Sequence, residues 1–228
     1  MEHTAHLDKS AESKAILSIL QTDYGPADWR TGYDPISELV FTILTQNTSD
    51  RNAEKAFNNL TAQFTMHQLL EIDVSLIQPL IAAAGLSNIK APRIKNALKT
   101  IVERRGELDL WFLQSMSPQE AKDWLRSIDG IGPKTAAVVL CLSLGIPALP
   151  VDTHVHRVTK RLGLIAPTIS ADKAHDQLEA LVDPKDMLEF HMQIIRHGRT
   201  ICSSRSPKCQ ECPIIRHCMY GTTALTQS

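Results

Sequence analysis

The 228-residue sequence reads as an all-α protein. Three observations carry that reading. Apolar residues recur at helical spacing in nearly every segment, helix start and stop signals punctuate the chain, and no stretch sustains period-2 alternation with hairpin turns. About ten helices joined by short loops fit the pattern, with no internal repeat or low-complexity tract.

Ile36, Leu39, Val40, Ile43 and Leu44 lie on the i, i+3, i+4, i+7, i+8 stripe of a half-buried helix. Thr65 with Gln68 has the form of a capping box. Ser75 is placed to cap a helix that runs through Leu76, Leu80 and Ile81 and stops at Gly85. Ile94, Leu98, Ile101 and Val102 give the next segment one apolar face, which predicts that its lysines and arginines point outward. Ser117 with Glu120 is a second box, opening a helix that ends before Gly130, and Pro133 opens another. The run of residues 136–140 could by itself be a buried strand; Pro133 ahead of it and its continuation to Leu144 favour a buried helix. Asp183 followed by Pro184 is an N-cap with proline at the first helical position.

Apolar residues make up 43% and charged residues 21%, which places the chain among folding sequences with a real core, as one large domain or two small interleaved ones. The longest apolar stretch, residues 136–146, is about half of the roughly 20 residues that a membrane helix needs. The N-terminus, MEHTAHLDKS, has no apolar core of a signal peptide. The expectation is a monomer with no membrane partner, cytoplasmic and nucleoid-associated if prokaryotic.

The net charge of −1 hides a segregation. Residues 86–105 carry Lys90, Arg93, Lys95, Lys99, Arg104 and Arg105 against Glu103 alone, whereas residues 170–190 carry six acids against Lys173 and Lys185. A basic face on a nearly neutral protein suits a nucleic-acid binder that does not adhere everywhere; charge alone fits a plain solvated helix face equally well.

The five cysteines are unevenly placed. Cys141 stands in an apolar run and is expected to pack as a small core residue. Cys202, Cys209, Cys212 and Cys218 fall within 17 residues, which reads as a metal or cluster site rather than a set of loop-closing disulfides. The spacing C-x6-C-x2-C-x5-C has one C-x-x-C pair with an outer cysteine on either side. Four thiolates in one compact loop suit a [4Fe–4S] cluster, with zinc as the alternative. Arg205, Lys208 and Arg216 are interleaved with the thiols, where a phosphate backbone could meet them.

Two further constellations carry chemistry. In L-R-S-I-D-G-I-G-P-K, residues 125–134, Gly130 and Gly132 form a tight hairpin between two helices, with glycine freedom for positive φ and close backbone approach. Successive amides there and the following helix N-terminus make an anion site suited to a DNA phosphate, with Ile131 plugging the hairpin into the core; a plain interhelical turn is the simpler reading. Lys134 follows in the first helical turn, a poor place for a cation, so a free nucleophilic amine is more accessible there; a surface lysine holding a phosphate is the simpler reading. In V-D-T-H-V-H-R, residues 151–157, Asp152 stands where a helix begins. It is either an N-cap or a carboxylate that takes the Lys134 proton or stabilises a positive sugar. His154 and His156 read as hydrogen-bonding residues rather than metal ligands.

These pieces, together with L-V-F-T-I-L-T-Q-N-T-S-D (residues 39–50), A-G-L-S-N-I-K-A (84–91) and H-G-R (197–199), resemble the endonuclease III family of helix-hairpin-helix DNA glycosylases over residues 33–220. The resemblance implies two helical domains flanking a DNA-binding cleft. Residues 27–146 would form a six-helix barrel with the helix-hairpin-helix, and residues 1–26 with 147–228 an iron–sulfur cluster domain. The family's catalytic lysine falls on Lys134 and its aspartate on Asp152. The implied activity is that of a bifunctional N-glycosylase/AP lyase that excises oxidised pyrimidines from duplex DNA, or acts at abasic sites, through a lysine Schiff base and β-elimination. Its target nucleotide would be flipped out of the stack. Leu86, after Gly85, matches the apolar wedge that fills the vacated space. His154 and Arg205 join Gly130 and Gly132 as implied DNA contacts, and the four clustered cysteines are the implied cluster ligands. Lysine at 134, and only ten residues after Cys218, favour the bifunctional branch over the adenine or mismatch enzymes. A monofunctional uracil or thymine mismatch glycosylase and a non-catalytic cluster-containing DNA-binding protein are the alternatives. Two departures bear on the lesion. Where the family has Gln, two residues and Asp, this chain has Gln46-Asn47-Thr48-Ser49-Asp50, so either Gln46 or Asn47 takes the glutamine's place. Pro133 also replaces the usual basic residue before the lysine.

Overall fold

The computed structural model describes residues 2–27 and 32–226. Among the described residues there are twelve α-helices, several short 3₁₀ turns and no strand, which meets the all-α expectation. The chain forms two compact units: Thr31–Ile146, and Met1–Arg30 with Pro147–Ser228. In neither unit is any described helix long and apolar enough to cross a membrane.

The Thr31–Ile146 unit is built around α2 (Pro35–Thr45). Asp34 opens this helix by accepting from the Ile36 and Ser37 amides at 3.1 Å each, with Pro35 in the first turn. The expected half-buried stripe understates its position, because nine of its eleven residues are buried. It packs against α3 (Asp50–Thr61), α6 (Ser87–Arg105) and α8 (Pro133–Ser143). Its polar positions are absorbed locally: Glu38 accepts from the Thr42 hydroxyl at 3.4 Å and from the Tyr33 amide at 3.3 Å.

The reciprocal bonds between Thr65 and Gln68 form ahead of the short α4 (Gln68–Glu71). At α5 (Val74–Leu80) the cap is Asp73 rather than Ser75. Asp73 stands in extended backbone and accepts from the Ser75 amide at 2.8 Å, and hydrogen bonds from Ser75 hold its carboxyl below the usual range. The apolar run then tightens into a 3₁₀ turn, Ala82–Ala84, that ends on Gly85 at φ +68°.

The basic segment of α6 departs most from expectation. Lys90 is 1% exposed and donates to the carbonyls of Leu44 and Ala84 at 2.8 Å each. Lys95 donates to the Ile72 carbonyl, and Arg93 reaches the Gln46 side chain. Arg104 donates to Ser127 and faces Trp124, while Arg105 lies 3.9 Å from the Phe112 ring centroid. The basic face is therefore divided: Lys90 is buried and Arg93 and Lys95 are half-buried in these bonds, whereas Lys99, Arg104 and Arg105 stay exposed as the periodicity predicts. Helical periodicity assigns the apolar stripe but does not show that neighbouring carbonyls and rings recruit cations at its margin.

A capping box at Ser117 and Glu120 opens α7 (Pro118–Arg126), and residues 127–132 link it to α8. Ile128 and Ile131 are 1% and 4% exposed and anchor this hairpin, and Cys141 packs in the core as expected.

In the other unit, α1 (Glu2–Tyr24), α9 (Thr153–Leu162), α10 (Ala171–Leu181) and α11 (Met187–Thr200) enclose a core that includes Ile16, Leu20, Val158, Leu178, Phe190 and Ile194. Asp183 caps a 3₁₀ turn, Pro184–Asp186, that leads into α11. The chain closes with α12 (Met219–Thr226).

Truncating the hairpin plug, Ile131→Ala, is expected to destabilise the fold by about 2–5 kcal/mol, as for other buried large-to-small changes. Ile89→Ala, at a 46% exposed position, is expected to change stability by about 0.5 kcal/mol or less. Thermal unfolding of the two variants checks the contrast.

Candidate functional site

Within the Thr31–Ile146 unit, the hairpin and two loop tips gather the predicted DNA-contacting residues. Gly130 has φ +80°, and a Cβ there would stand 2.6 Å from the Arg93 Nε, so this glycine is required twice over. Gly132 differs from expectation. Its φ is −86°, ordinary extended backbone, and a Cβ would meet no atom of the protein within 4 Å. Glycine at 132 is therefore not demanded by the fold, and its small size leaves room for something outside the chain. Gly132 caps α8 without a side chain, and Pro133 occupies the first turn. Lys134 follows, half-buried, at this helix start.

The Gln46/Asn47 alternative separates here. Gln46 is engaged on both ends of its amide: Nε2 donates to the Thr135 hydroxyl at 3.3 Å, and Oε1 accepts from Arg93 at 2.5 Å. Asn47 is exposed, in left-handed backbone at φ +53°. Leu86 is likewise left-handed, at φ +50°, and 48% exposed. Asn47 and Leu86 are the two non-glycine residues with positive φ among the described residues. Such backbone costs energy and persists where surrounding contacts fix it.

In the other unit, Asp152 is the N-cap of α9 and its Oδ1 accepts from the Val155 amide at 2.7 Å. The strap before it is tied at three points. Glu179 accepts from the Leu149 amide at 3.0 Å, His175 donates to the Leu149 carbonyl at 2.9 Å, and His191 donates to the Pro150 carbonyl at 2.8 Å. His154 packs beside Gly198, its Nδ1 accepting from Arg157 at 3.1 Å. His156 bonds the Ile169 carbonyl, a structural role as expected.

Cys202, Cys209, Cys212 and Cys218 line one pocket, whose remaining wall is largely apolar and includes Val158, Leu162, Ile201 and Ile214. Among the described residues, no three His, Cys, Asp or Glu side chains are grouped as a single metal ion would require. Burial pushes the Cys212 thiol up to about 11 and raises that of Cys218, with the other thiols adding in the same direction. Deprotonation in this pocket therefore requires a compensating cationic group. Donors already point at sulfur: Arg161 to Cys202 at 3.3 Å and the Gly221 amide to Cys218 at 3.2 Å. Arg205 is exposed, and Lys208 pairs with Glu211 at 4.0 Å.

Several residues that shape this region were given no role by the sequence argument. Arg157 donates to the Cys202 and Gly198 carbonyls, and Arg161 to the Ser203 and Ser204 carbonyls while stacking on Tyr220. Their four-residue spacing on α9 places both on one face and was the available signal. His197 is 1% exposed between the Tyr24 hydroxyl, 2.8 Å away, and the Cys212 sulfur at 3.7 Å; burial lowers its pKa to about 4, so the ring is neutral.

A family model for HhH-GPD superfamily base excision DNA repair proteins matches residues 40–184. The chain belongs to that superfamily. Endonuclease III of Sulfolobus acidocaldarius is 35% identical over 185 residues, covering 80% of each chain. A trapped Endonuclease III–DNA covalent intermediate superimposes with a TM-score of 0.81 at 25% identity, over 95% of this chain and 98% of the other. A thermostable thymine-DNA glycosylase shares the fold with a TM-score of 0.80 at 23% identity, over 93% and 98%. The HhH-GPD protein described here is thus an Endonuclease III-like DNA glycosylase of base excision repair.

The two hairpin glycines are expected to respond differently to alanine. Gly130→Ala should lower the melting temperature by displacing Arg93, whereas Gly132→Ala should melt like the parent and lose about tenfold in duplex affinity, roughly 1.4 kcal/mol. Thermal unfolding paired with fluorescence anisotropy on one duplex measures both.

Proposed function

We propose that this protein is a bifunctional DNA N-glycosylase/AP lyase that removes oxidised pyrimidines from duplex DNA and cleaves the strand at the resulting or pre-existing abasic site. The observation that carries the reading is Lys134, an amine half-buried in the first turn of α8, directly behind a helix-hairpin-helix whose N-cap has no side chain. The hairpin amides take a phosphate, and Gly132 leaves space for it. Asn47 and Leu86, both exposed and preset in left-handed backbone, enter the duplex as the damaged nucleotide leaves the stack. Gln46, held by Arg93 and Thr135, is the supporting residue beneath Asn47.

In the reaction, the Lys134 nitrogen forms a bond to C1′ as the C1′–base bond breaks, and the departing base takes the bonding pair and a proton. Sugar ring opening gives a protonated Schiff base. Removal of a C2′ proton then expels the 3′ phosphate by β-elimination, and water returns the lysine as a free amine. Asp152 contributes charge stabilisation and proton transfer. One of its oxygens already caps α9, so the carboxylate is oriented before substrate binds.

The four clustered thiols would hold a [4Fe–4S] cluster. What supports this is that all four thiols line one pocket, as four thiolate ligands of a cubane cluster require. When bound, it supplies the cationic charge that the buried thiolates need and orders residues 202–218, and the bond chemistry is left to the side chains. A ligating thiolate only accepts, so neutral His197 carries its proton on Nε2 toward Cys212 and accepts from Tyr24 at Nδ1. The ordered loop presents Arg205 to the phosphate backbone.

Borohydride added to the protein and a thymine glycol duplex is expected to trap a covalent protein–DNA band that Lys134→Gln abolishes. Asp152→Asn, which keeps a good N-cap, should retain the fold and slow turnover by about 10²–10⁴-fold. Absence of a band on both the lesion duplex and an abasic duplex would move the protein to a monofunctional glycosylase or a DNA binder. Arg205→Ala should weaken binding to all sequences alike and reduce the magnitude of the log K against log salt slope by about 1; an unchanged slope removes Arg205 from the footprint.

A further inference from the structure

Lys90 is a costly residue to bury. It is 1% exposed, its ammonium meets two carbonyl oxygens at 2.8 Å, and its pKa is held below the usual lysine value by burial and by the nearby Arg93. If the site required only packing, methionine would fill the same space without desolvating a charge. What the charge achieves is visible in what it holds. The Leu44 carbonyl belongs to the last turn of α2, three residues before Asn47, and the Ala84 carbonyl ends the 3₁₀ turn two residues before Leu86. One ammonium thus ties together the roots of the two tips whose backbone is left-handed. Both roots are C-terminal ends of helical turns, where outward carbonyls favour a cation. One turn along α6, Arg93 grips Gln46 beside the first tip.

We propose that Lys90 is a positioning residue for DNA engagement, setting the separation of the Asn47 and Leu86 tips by clamping the Leu44 and Ala84 carbonyls to one point. It acts through the tips and touches no substrate. The proposal rests on the reading that both tips enter the duplex, and the test separates the two. A single strand offers no stack to enter, so the clamp is needed for duplex and dispensable for chemistry on an unpaired abasic site.

The informative substitution is Lys90→Arg, which keeps the charge and both carbonyls paired but shifts their spacing. It is compared with the parent in the full-length protein and again in an Asn47→Ala/Leu86→Ala background. Three readouts are taken: melting temperature, affinity for a duplex with a tetrahydrofuran abasic analogue, and borohydride trapping on a single-stranded abasic oligonucleotide. Lys90→Arg should melt like the parent, trap on single strand within about twofold, and bind the abasic duplex about tenfold more weakly because the tips are re-spaced. In the tip-less background it should cause no further loss. Unchanged duplex binding, an equal loss in the tip-less background, or an equal loss on the single strand would each overturn the clamp while leaving the tips' role intact. Parent-like duplex binding by the tip-less variant would instead remove the reading of the tips, and the clamp with it. Should the arginine variant fail to fold, Lys90→Gln, with two N–H donors on a shorter stem, supplies the same comparison.

Discussion

A helix leaves amides at its start and carbonyls at its end that its own backbone cannot satisfy, and a fold built from short helices has many such ends close together. How each end is satisfied divides this protein into parts that are closed and parts that are open to a ligand. The start of α2 is closed by Asp34 and the start of α7 by a capping box. The end of α2 is closed by Lys90 from another helix. The start of α8 receives no side-chain cap and stands behind a hairpin whose last glycine has empty space beside it. A helix start without a capping side chain favours an anion, and Lys134 lies in that turn.

Asp152 shows the same constraint used twice. As an N-cap it satisfies an α9 amide through one oxygen, and the strap leading to it is tied by Glu179, His175 and His191. A carboxylate so constrained has little conformational freedom left to lose. On the same helix, Arg157 and Arg161 reach into the cysteine loop and fold it around their guanidinium groups. That loop has little regular structure of its own, so its shape depends on these side-chain bonds and on whatever its thiols hold.

Much of this was legible in the sequence because it is written in short-range signals. Capping residues, glycine punctuation and helical spacing specify Ser117, Asp152 and the 125–134 hairpin without tertiary knowledge. What escaped was long-range. Lys90 and Arg93 sit in a segment whose charge reads as a solvated face, yet they meet Leu44, Ala84 and Gln46, more than forty residues away in two of the three cases. Gly132 misled in the opposite sense, since glycine suggests unusual φ and the backbone there is ordinary. Ser75 lost its place to Asp73 because the two differ by only two positions and both side chains can cap. The choice between Gln46 and Asn47 depends on which side chain turns inward, and no spacing rule contains that.

The engagement of Lys90, Arg93 and Lys95 by protein oxygens bears on how much charge α6 can offer to nucleic acid. Nonspecific adhesion to undamaged duplex scales with the number of phosphates a protein can neutralise at once. Here Lys90, Arg93 and Lys95 are tied to protein oxygens, and Arg104 and Arg105 lie against aromatic rings. With a net charge of −1 and Lys90, Arg93 and Lys95 held by protein oxygens, this helix has fewer cations to offer a phosphate backbone than its composition suggests. A protein of this charge distribution would gain little hold from phosphates alone and depend for it on the contacts made at an opened stack.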